Sequence, residues 1–150
     1  MTNKEIDKKI EELKERCQKD GLRVTKQRIE IYREIAKSCA HPDAETVFEM
    51  VKDKLPNISL DTVYRTLASL EEIGMIFRVD SQLPRARFDA DKKPHYHFLC
   101  VKCNEVYDIF PEIGKQVNIP EGLDKFGQVI DMNLQVRGIC NNCRTTKGEH

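Results

Sequence analysis

The chain has 150 residues, of which 39 % are hydrophobic, 33 % charged and 7 % aromatic, with no Trp. This suits one small-to-middling domain or two very small ones, with a core lean enough that metal or oligomerisation is expected to help. The 25 basic and 25 acidic side chains cancel, so bulk charge argues for no nucleic acid, membrane or acidic substrate. No run reaches the ~18 apolar residues of a membrane span, and Met1-Thr2-Asn3-Lys4-Glu5 lacks a signal-peptide apolar core, so a cytoplasmic chain is expected.

From Lys4 to about Gly74 the apolar periodicity is helical. Ile6, Ile10, Leu13 and Cys17 share one face of a first helix that Gly21 ends. Thr25 caps a second helix with Ile29, Tyr32, Ile35 and Ala36 along its face. Asp43 caps a third, carrying Val47, Phe48, Val51 and Leu55 until Pro56 stops it. Ser59 caps a fourth, Asp61 suits its positive end, and Val63, Leu67 and Leu70 face inward. Met75–Val79 and Ala86–Asp89 then flank a turn at Ser81–Arg85 and read as a β-hairpin. Short helices followed by a hairpin are the layout of a winged helix-turn-helix, and Ala90–Pro94 reads as a hinge.

Beyond the hinge, His95–Cys100, Val106–Ile109 and Val129–Val136 alternate as strands, the last with Ile130, Met132, Leu134 and Val136 on one face. Pro111–Phe126 holds a weak helix interrupted by Gly114, Pro120 and Gly122. The expected fold class is α+β: an α-rich N-terminal domain and a small α/β C-terminal one.

Cys100-x2-Cys103 and Cys140-x2-Cys143 are two CxxC pairs 36 residues apart. Two such pairs close a tetrahedral thiolate shell, which favours zinc and leaves no open position, so the site is structural. A redox pair would call for a thioredoxin-like βαβ pattern that the sequence lacks, and buried thiols and an iron–sulfur cluster are the remaining rivals. Cys17 and Cys39 read as buried small hydrophobes.

The four histidines are His41, His95, His97 and His150, the last expected to be solvated. On a strand His95 and His97 point to one face. Asp89, Asp108 and His41 are candidate partners, although Asp108 alone would pass as an exposed strand carboxylate and His41-Pro42 as a turn before a helix. Three imidazoles and two carboxylates would suit Fe²⁺, Mn²⁺, Co²⁺ or Zn²⁺. Nothing in their spacing brings the five together.

Gly21-Leu-Arg-Val-Thr-Lys-Gln-Arg28, Ala40-His41-Pro42, Ile58-Ser-Leu-Asp-Thr-Val-Tyr-Arg-Thr-Leu67, Arg87-Phe88-Asp89, His95-Tyr-His97 and the two CxxC pairs together resemble the ferric uptake regulator (Fur) superfamily. The resemblance runs from about residue 15 to residue 145. It implies a homodimeric, metal-dependent repressor with a winged-helix DNA-binding domain at 1–89, a hinge at 90–94 and a dimerisation and metal-binding domain at 95–150. The chain looks most like the peroxide-stress repressor branch, whose regulatory ligands fall on His41, Asp89, His95, His97 and Asp108. Iron-uptake regulators more often carry glutamate at the Asp108 position and further histidines, which Asp131-Met132-Asn133 does not supply. Relatives usually have a longer helix where this chain has the broken 111–126 segment.

What the resemblance implies chemically is a sensor and not an enzyme. Fe²⁺ held by the five ligands reduces hydrogen peroxide, His41 and His95 are oxidised to 2-oxo-histidine, and the repressor leaves its DNA. Mn²⁺ supports DNA binding without that oxidation. For the partner, a pseudo-palindromic double-stranded operator, the fourth helix is expected in the major groove with Asp61, Thr62, Tyr64 and Arg65. Arg23, Lys26, Gln27 and Arg28 are expected at the backbone or minor groove, though the same cluster would serve as a solvated helix start. The rival functions are an iron-responsive repressor of iron acquisition, a metal-dependent enzyme and a purely structural zinc module.

Overall fold

A computed structural model describes residues 1–79, 83–112, 115, 117–130 and 132–145. The chain divides into two compact units, Met1–Lys92 and Lys93–His150.

The first unit contains α1 (Asn3–Lys19), α2 (Lys26–Lys37), α3 (Ala44–Val51) and α4 (Leu60–Glu72). Each begins at a side-chain oxygen that accepts an otherwise unbonded amide N–H. Thr2 receives Glu5, Thr25 receives Arg28, Asp43 receives Thr46 and Ser59 receives Thr62. Such caps contribute about 1 kcal/mol each. Thr2 and Glu5 form a reciprocal capping box.

Apolar spacing then places the core. Ile6, Ile10, Leu13 and Cys17 of α1 pack in one cluster with Ile31, Tyr32 and Ile35 of α2, Val47 and Val51 of α3, and Val63, Leu67 and Leu70 of α4. On α2 Ile31 and Ile35 are fully buried, and Ile29 is half-buried against the cluster. Helix α3 stops at Val51, short of Pro56, and Leu55 closes onto the Val51 carbonyl by one further turn. Cys17 is buried, but Cys39 is exposed, because α2 ends at Lys37 and the extended Ser38 breaks the helical phase before residue 39.

After α4, Gly74 takes a positive φ of 74°, and Met75 and Ile76 donate their N–H groups back to the Leu70 carbonyl. That leaves a narrow wing, in which β1 (Phe77–Arg78) pairs antiparallel with β2 (Phe88–Asp89), Phe77 opposite Asp89 and Arg78 opposite Phe88. The hairpin is thus shorter than Met75–Val79 with Ala86–Asp89. Residues 80–82, within its turn, lie outside the described residues.

The second unit is built on a three-stranded sheet ordered β4–β3–β5. Strand β3 (Tyr96–Cys100) runs antiparallel to β4 (Val106–Ile109) and parallel to β5 (Gln135–Gly138). A Cβ at Gly138 would meet the outer edge of the Phe98 ring at 2.9 Å, so any larger residue there would displace that ring. The expected strand from Val129 is a correction: the ladder begins only at Gln135, and Ile130 is 94 % exposed. Between Pro111 and Phe126 the described residues form only a 3-10 turn at Leu123–Lys125. Ile113, Gly114, Gln116, Asp131 and the C-terminal residues including His150 lie outside the described residues. A short helix, α5 (Asn141–Thr145), follows β5. No helix among the described residues is long and apolar enough to cross a membrane.

Candidate functional site

The sheet register assembles the four cysteines. Cys100 at the end of β3 pairs with Gly138 of the parallel β5, so Cys140 emerges two residues later at the same sheet end. A turn that carries Asn104 at φ 61° brings Cys103 round, with Asn104 N–H donating to the Cys100 carbonyl at 2.9 Å. Cys143 lies on the first turn of α5 and donates its N–H to Cys140 Sγ at 3.4 Å, while Cys140 N–H donates to Cys100 Sγ at 3.3 Å.

The four Sγ atoms lie within 4.8 Å of one another, and Cys103 and Cys140 stand 3.9 Å apart. A tetrahedron with Zn–S bonds of about 2.3 Å has S–S edges of about 3.8 Å, so this set fits zinc. Donated backbone N–H groups favour thiolates at two positions. The Cys140 N–H, ahead of that of Cys103, lowers Cys100 to about 6, and the Cys143 N–H lowers Cys140. Neighbouring sulfur raises the other member of the second pair, Cys143, to about 12, chiefly through Cys140. A cation among the four sulfurs reverses that last effect.

Imidazoles and carboxylates gather in each unit. In the second unit, His97 of β3 stands directly opposite Asp108 of β4. His95, two residues before His97, shares its face. Their Nε2 atoms are 3.1 Å apart and lie 3.6 Å (His95) and 3.4 Å (His97) from Asp108 Oδ1. Two nitrogens bound at about 2.0–2.1 Å to one cation stand about 2.9–3.3 Å apart, so the donor set suits a divalent metal. His95 is oriented for this role: its Nδ1–H donates to the Lys93 carbonyl at 2.6 Å, which leaves Nε2 with the lone pair for a metal. The Phe110 ring stacks on His95 at 5.1 Å.

In the first unit His41 and Asp89 meet, with His41 Nε2 4.0 Å from Asp89 Oδ2. His41 is only 2 % exposed and sits at a positive φ of 52° immediately before Pro42. Left-handed backbone costs a non-glycine residue roughly 1–2 kcal/mol, so something must hold it. Arg87 does: its Nε donates to the His41 carbonyl at 2.7 Å and its Nη2 to the Ala40 carbonyl. Asp89 follows Arg87 on the same strand face, its Oδ1 accepting the Asp91 N–H at 2.7 Å. Sequence reasoning gave Arg87 no role. The available signal was its i, i+2 spacing from Asp89.

Of the eight residues expected at DNA, all in the first unit, four meet there. Gln27 and Arg28 of α2 and Thr62 and Arg65 of α4 line one cavity of about 220 Å³ with Thr25 and Thr66. Arg65 and Tyr64 are exposed, and Arg65 pairs with Asp61 one turn earlier. Thr62 is engaged with the Ser59 hydroxyl at 2.9 Å, and Arg28 Nη1 donates to the Arg23 carbonyl at 2.5 Å. Arg23 and Lys26 are exposed and do not line the cavity.

The model of the ferric uptake regulator family matches residues 19–136. The peroxide-responsive repressor PerR of Staphylococcus epidermidis is 30 % identical over 140 residues, covering 93 % of each chain. Among solved structures, the Helicobacter pylori ferric uptake regulator Fur, described as having three functional metal binding sites, superposes with a TM-score of 0.76 at 27 % identity over 93 % of each chain. PerR from Streptococcus pyogenes, whose structure was solved to explain peroxide sensing and gene regulation, superposes with a TM-score of 0.52 at 25 % identity. It covers 89 % of this chain and 92 % of its own. A match running from the end of α1 into β5 takes in both units, and the chain belongs to the ferric uptake regulator family.

Proposed function

We propose that the chain is a homodimeric transcriptional repressor that senses hydrogen peroxide through oxidation of His41 and His95. In this reading Cys100, Cys103, Cys140 and Cys143 hold a structural Zn²⁺, and His41, Asp89, His95, His97 and Asp108 share one regulatory Fe²⁺ or Mn²⁺. Residues 1–89 form the DNA-binding domain, 90–94 the hinge and 95–150 the dimerisation domain. The observation that carries the reading is the pair of imidazole and short-carboxylate donor sets, one in each unit: His41 with Asp89, both buried, and His95 and His97 with the partly exposed Asp108.

Because the donors come from both units, ligation couples the DNA-binding surface to the dimerisation domain. That coupling equals the difference in metal affinity between DNA-competent and incompetent forms. Asp61, Thr62, Tyr64 and Arg65 would face the major groove, with Arg65 leaving Asp61 to read guanine. Arg23, Lys26, Gln27 and Arg28 would meet the backbone of a pseudo-palindromic operator.

When bound, Fe²⁺ supplies the reduction of hydrogen peroxide, which Mn²⁺ does far less readily. In balance, the C2–H of one imidazole becomes a C2 carbonyl with the gain of one oxygen from H₂O₂, and the other oxygen leaves as water. The product ring spreads its nitrogen lone pairs into that carbonyl and is a poor donor, so the clamp opens and repression ends. The signal consumes the protein, which is a sensor's behaviour and not a catalyst's.

The 30 % identity to a peroxide-responsive repressor and the aspartate at position 108 support this branch. A second reading, an iron-responsive repressor of iron acquisition, is favoured by the higher TM-score to the Helicobacter pylori Fur, 0.76 against 0.52. To separate the two, protein loaded anaerobically with Fe²⁺ or Mn²⁺ receives a small excess of H₂O₂. Peptide masses are read alongside binding to a duplex selected by the Mn²⁺ form. We expect a one-oxygen gain on the His41 or His95 peptide, with DNA release in the iron sample alone. Unmodified histidines with DNA binding that simply follows free Fe²⁺ would establish the iron-responsive reading.

A further inference from the structure

We infer that Arg87 is a positioning residue for the His41 half of the regulatory site: its guanidinium sets the backbone that aims the imidazole at Asp89. The inference rests on the ligand set proposed above. The Ala40 carbonyl belongs to the peptide before the His41 Cα and the His41 carbonyl to the peptide after it. Arg87 holds both, through Nη2 and Nε respectively. One planar fork thereby fixes both peptide planes that define φ and ψ of His41, at a φ of 52° that this residue rarely adopts. Pro42 has no N–H with which to help, but its carbonyl accepts the Phe88 N–H at 3.1 Å, and Asp43 bridges to Arg87 across the backbone.

The strand therefore carries two functions on one face. Arg87 grips the loop, and Asp89, two residues on, presents its carboxylate to the ring of the residue so gripped. Phe88 between them is buried in the core and anchors the strand. A lysine at 87 would keep the charge but lose the fixed fork, because an ammonium is a point charge on a flexible stem.

The test uses the full zinc-loaded chain and four variants, Arg87→Met, Arg87→Lys, His41→Ala and His41→Ala with Arg87→Met. Mn²⁺ affinity is measured by competition with a fluorescent chelator, with zinc content and helical circular dichroism as checks on folding. Both Arg87 variants should bind Mn²⁺ about tenfold more weakly, the usual scale for loss of a group that orients a ligand. After Fe²⁺ and H₂O₂, oxygen gain on the His41 peptide should fall relative to the His95 peptide. In the His41→Ala background, Arg87→Met should have no further effect. Wild-type affinity in Arg87→Lys and Arg87→Met, or an equal loss with and without His41, overturns the inference. If Arg87→Met does not fold, Arg87→Lys decides. Wild-type affinity in His41→Ala would instead show that His41 is not a ligand, and the reading beneath the inference fails with it.

Discussion

In Met1–Lys92, Leu13, Val47, Val63 and Leu70 are wholly buried against one another. Lys93–His150 buries His97, Leu99, Cys100, Val106 and Cys140 and leaves Phe126 80 % and Ile130 94 % exposed. Among the described residues, the large hydrophobic cluster lies in the first unit. In the second, the buried set is interleaved with thiols and imidazoles, so its cohesion is assigned to metal and, in the reading proposed above, to a second copy. A unit of fewer than sixty residues whose described residues bury so few apolar side chains needs such a staple.

The largest effect that would break this contrast is zinc removal. Structural zinc contributes roughly 10–16 kcal/mol of apparent binding free energy, comparable to the whole stability of a typical domain, about 5–15 kcal/mol. Stripping the metal from the full chain, or Cys140→Ser, should abolish amide-exchange protection in β3, β4 and β5 while α1 to α4 keep theirs. Acid should act in the same direction. Cys100 is lowered to about 6 by donated N–H groups, so its thiolate stabilises fully above the ordinary thiol value of 9.0 and that contribution is lost as pH falls through about 6. Strand protection that survives without zinc would end the structural assignment of the site.

A smaller effect separates the units by the side chains they bury. Leu70→Ala should cost the first unit about 2–5 kcal/mol, read as a lowered calorimetric midpoint, because it empties a site that is 0 % exposed. Ile130→Ser should leave unfolding of the monomer within about 0.5 kcal/mol of wild type, since the side chain is already in solvent. If that substitution destabilised the dilute monomer by as much as Leu70→Ala, the second unit would have a core that its exposure pattern does not reveal.

The same contrast explains what the sequence made legible. Thr25, Asp43 and Ser59 could be read as caps, and the helical stripes as core, because caps and stripes are local and the unit that holds them is self-contained. Alternation at Ile130, Met132, Leu134 and Val136 reads as one strand, but a strand also needs a neighbour, and β3 offers its ladder only from His97 to Cys100. The wing was overread for a similar reason, since Met75 and Ile76 give their N–H groups to α4. Helix α5 has no apolar period to detect; it forms where Cys140 accepts the Cys143 amide. Spacing identified the four-cysteine set directly. That Asp108 faces His97 depends on strand register, which no spacing rule contains, and the family resemblance carried it. Cys39 was misplaced because helical phase was extended past Ser38.

The smallest of these tests asks whether the first unit's core is as dry as its packing implies. Tyr32 is 1 % exposed, and burial, with the nearby Glu12 carboxylate adding to it, pushes its phenol from an ordinary 10.0 up to about 12. The folded state therefore keeps a proton that the unfolded chain has released between those values. Stability is full below pH 10 and falls as pH rises toward 12, by about 1.4 kcal/mol per unit at most. Comparing wild type with Tyr32→Phe in the same buffers cancels every other titrating group, including the cysteines and the other tyrosines. The midpoint difference should stay constant up to about pH 10 and then shift in favour of the phenylalanine variant, which has no proton to lose. Parallel curves to pH 12 would mean that water reaches Tyr32, and the helical core would then be less closed than its buried isoleucines and leucines indicate.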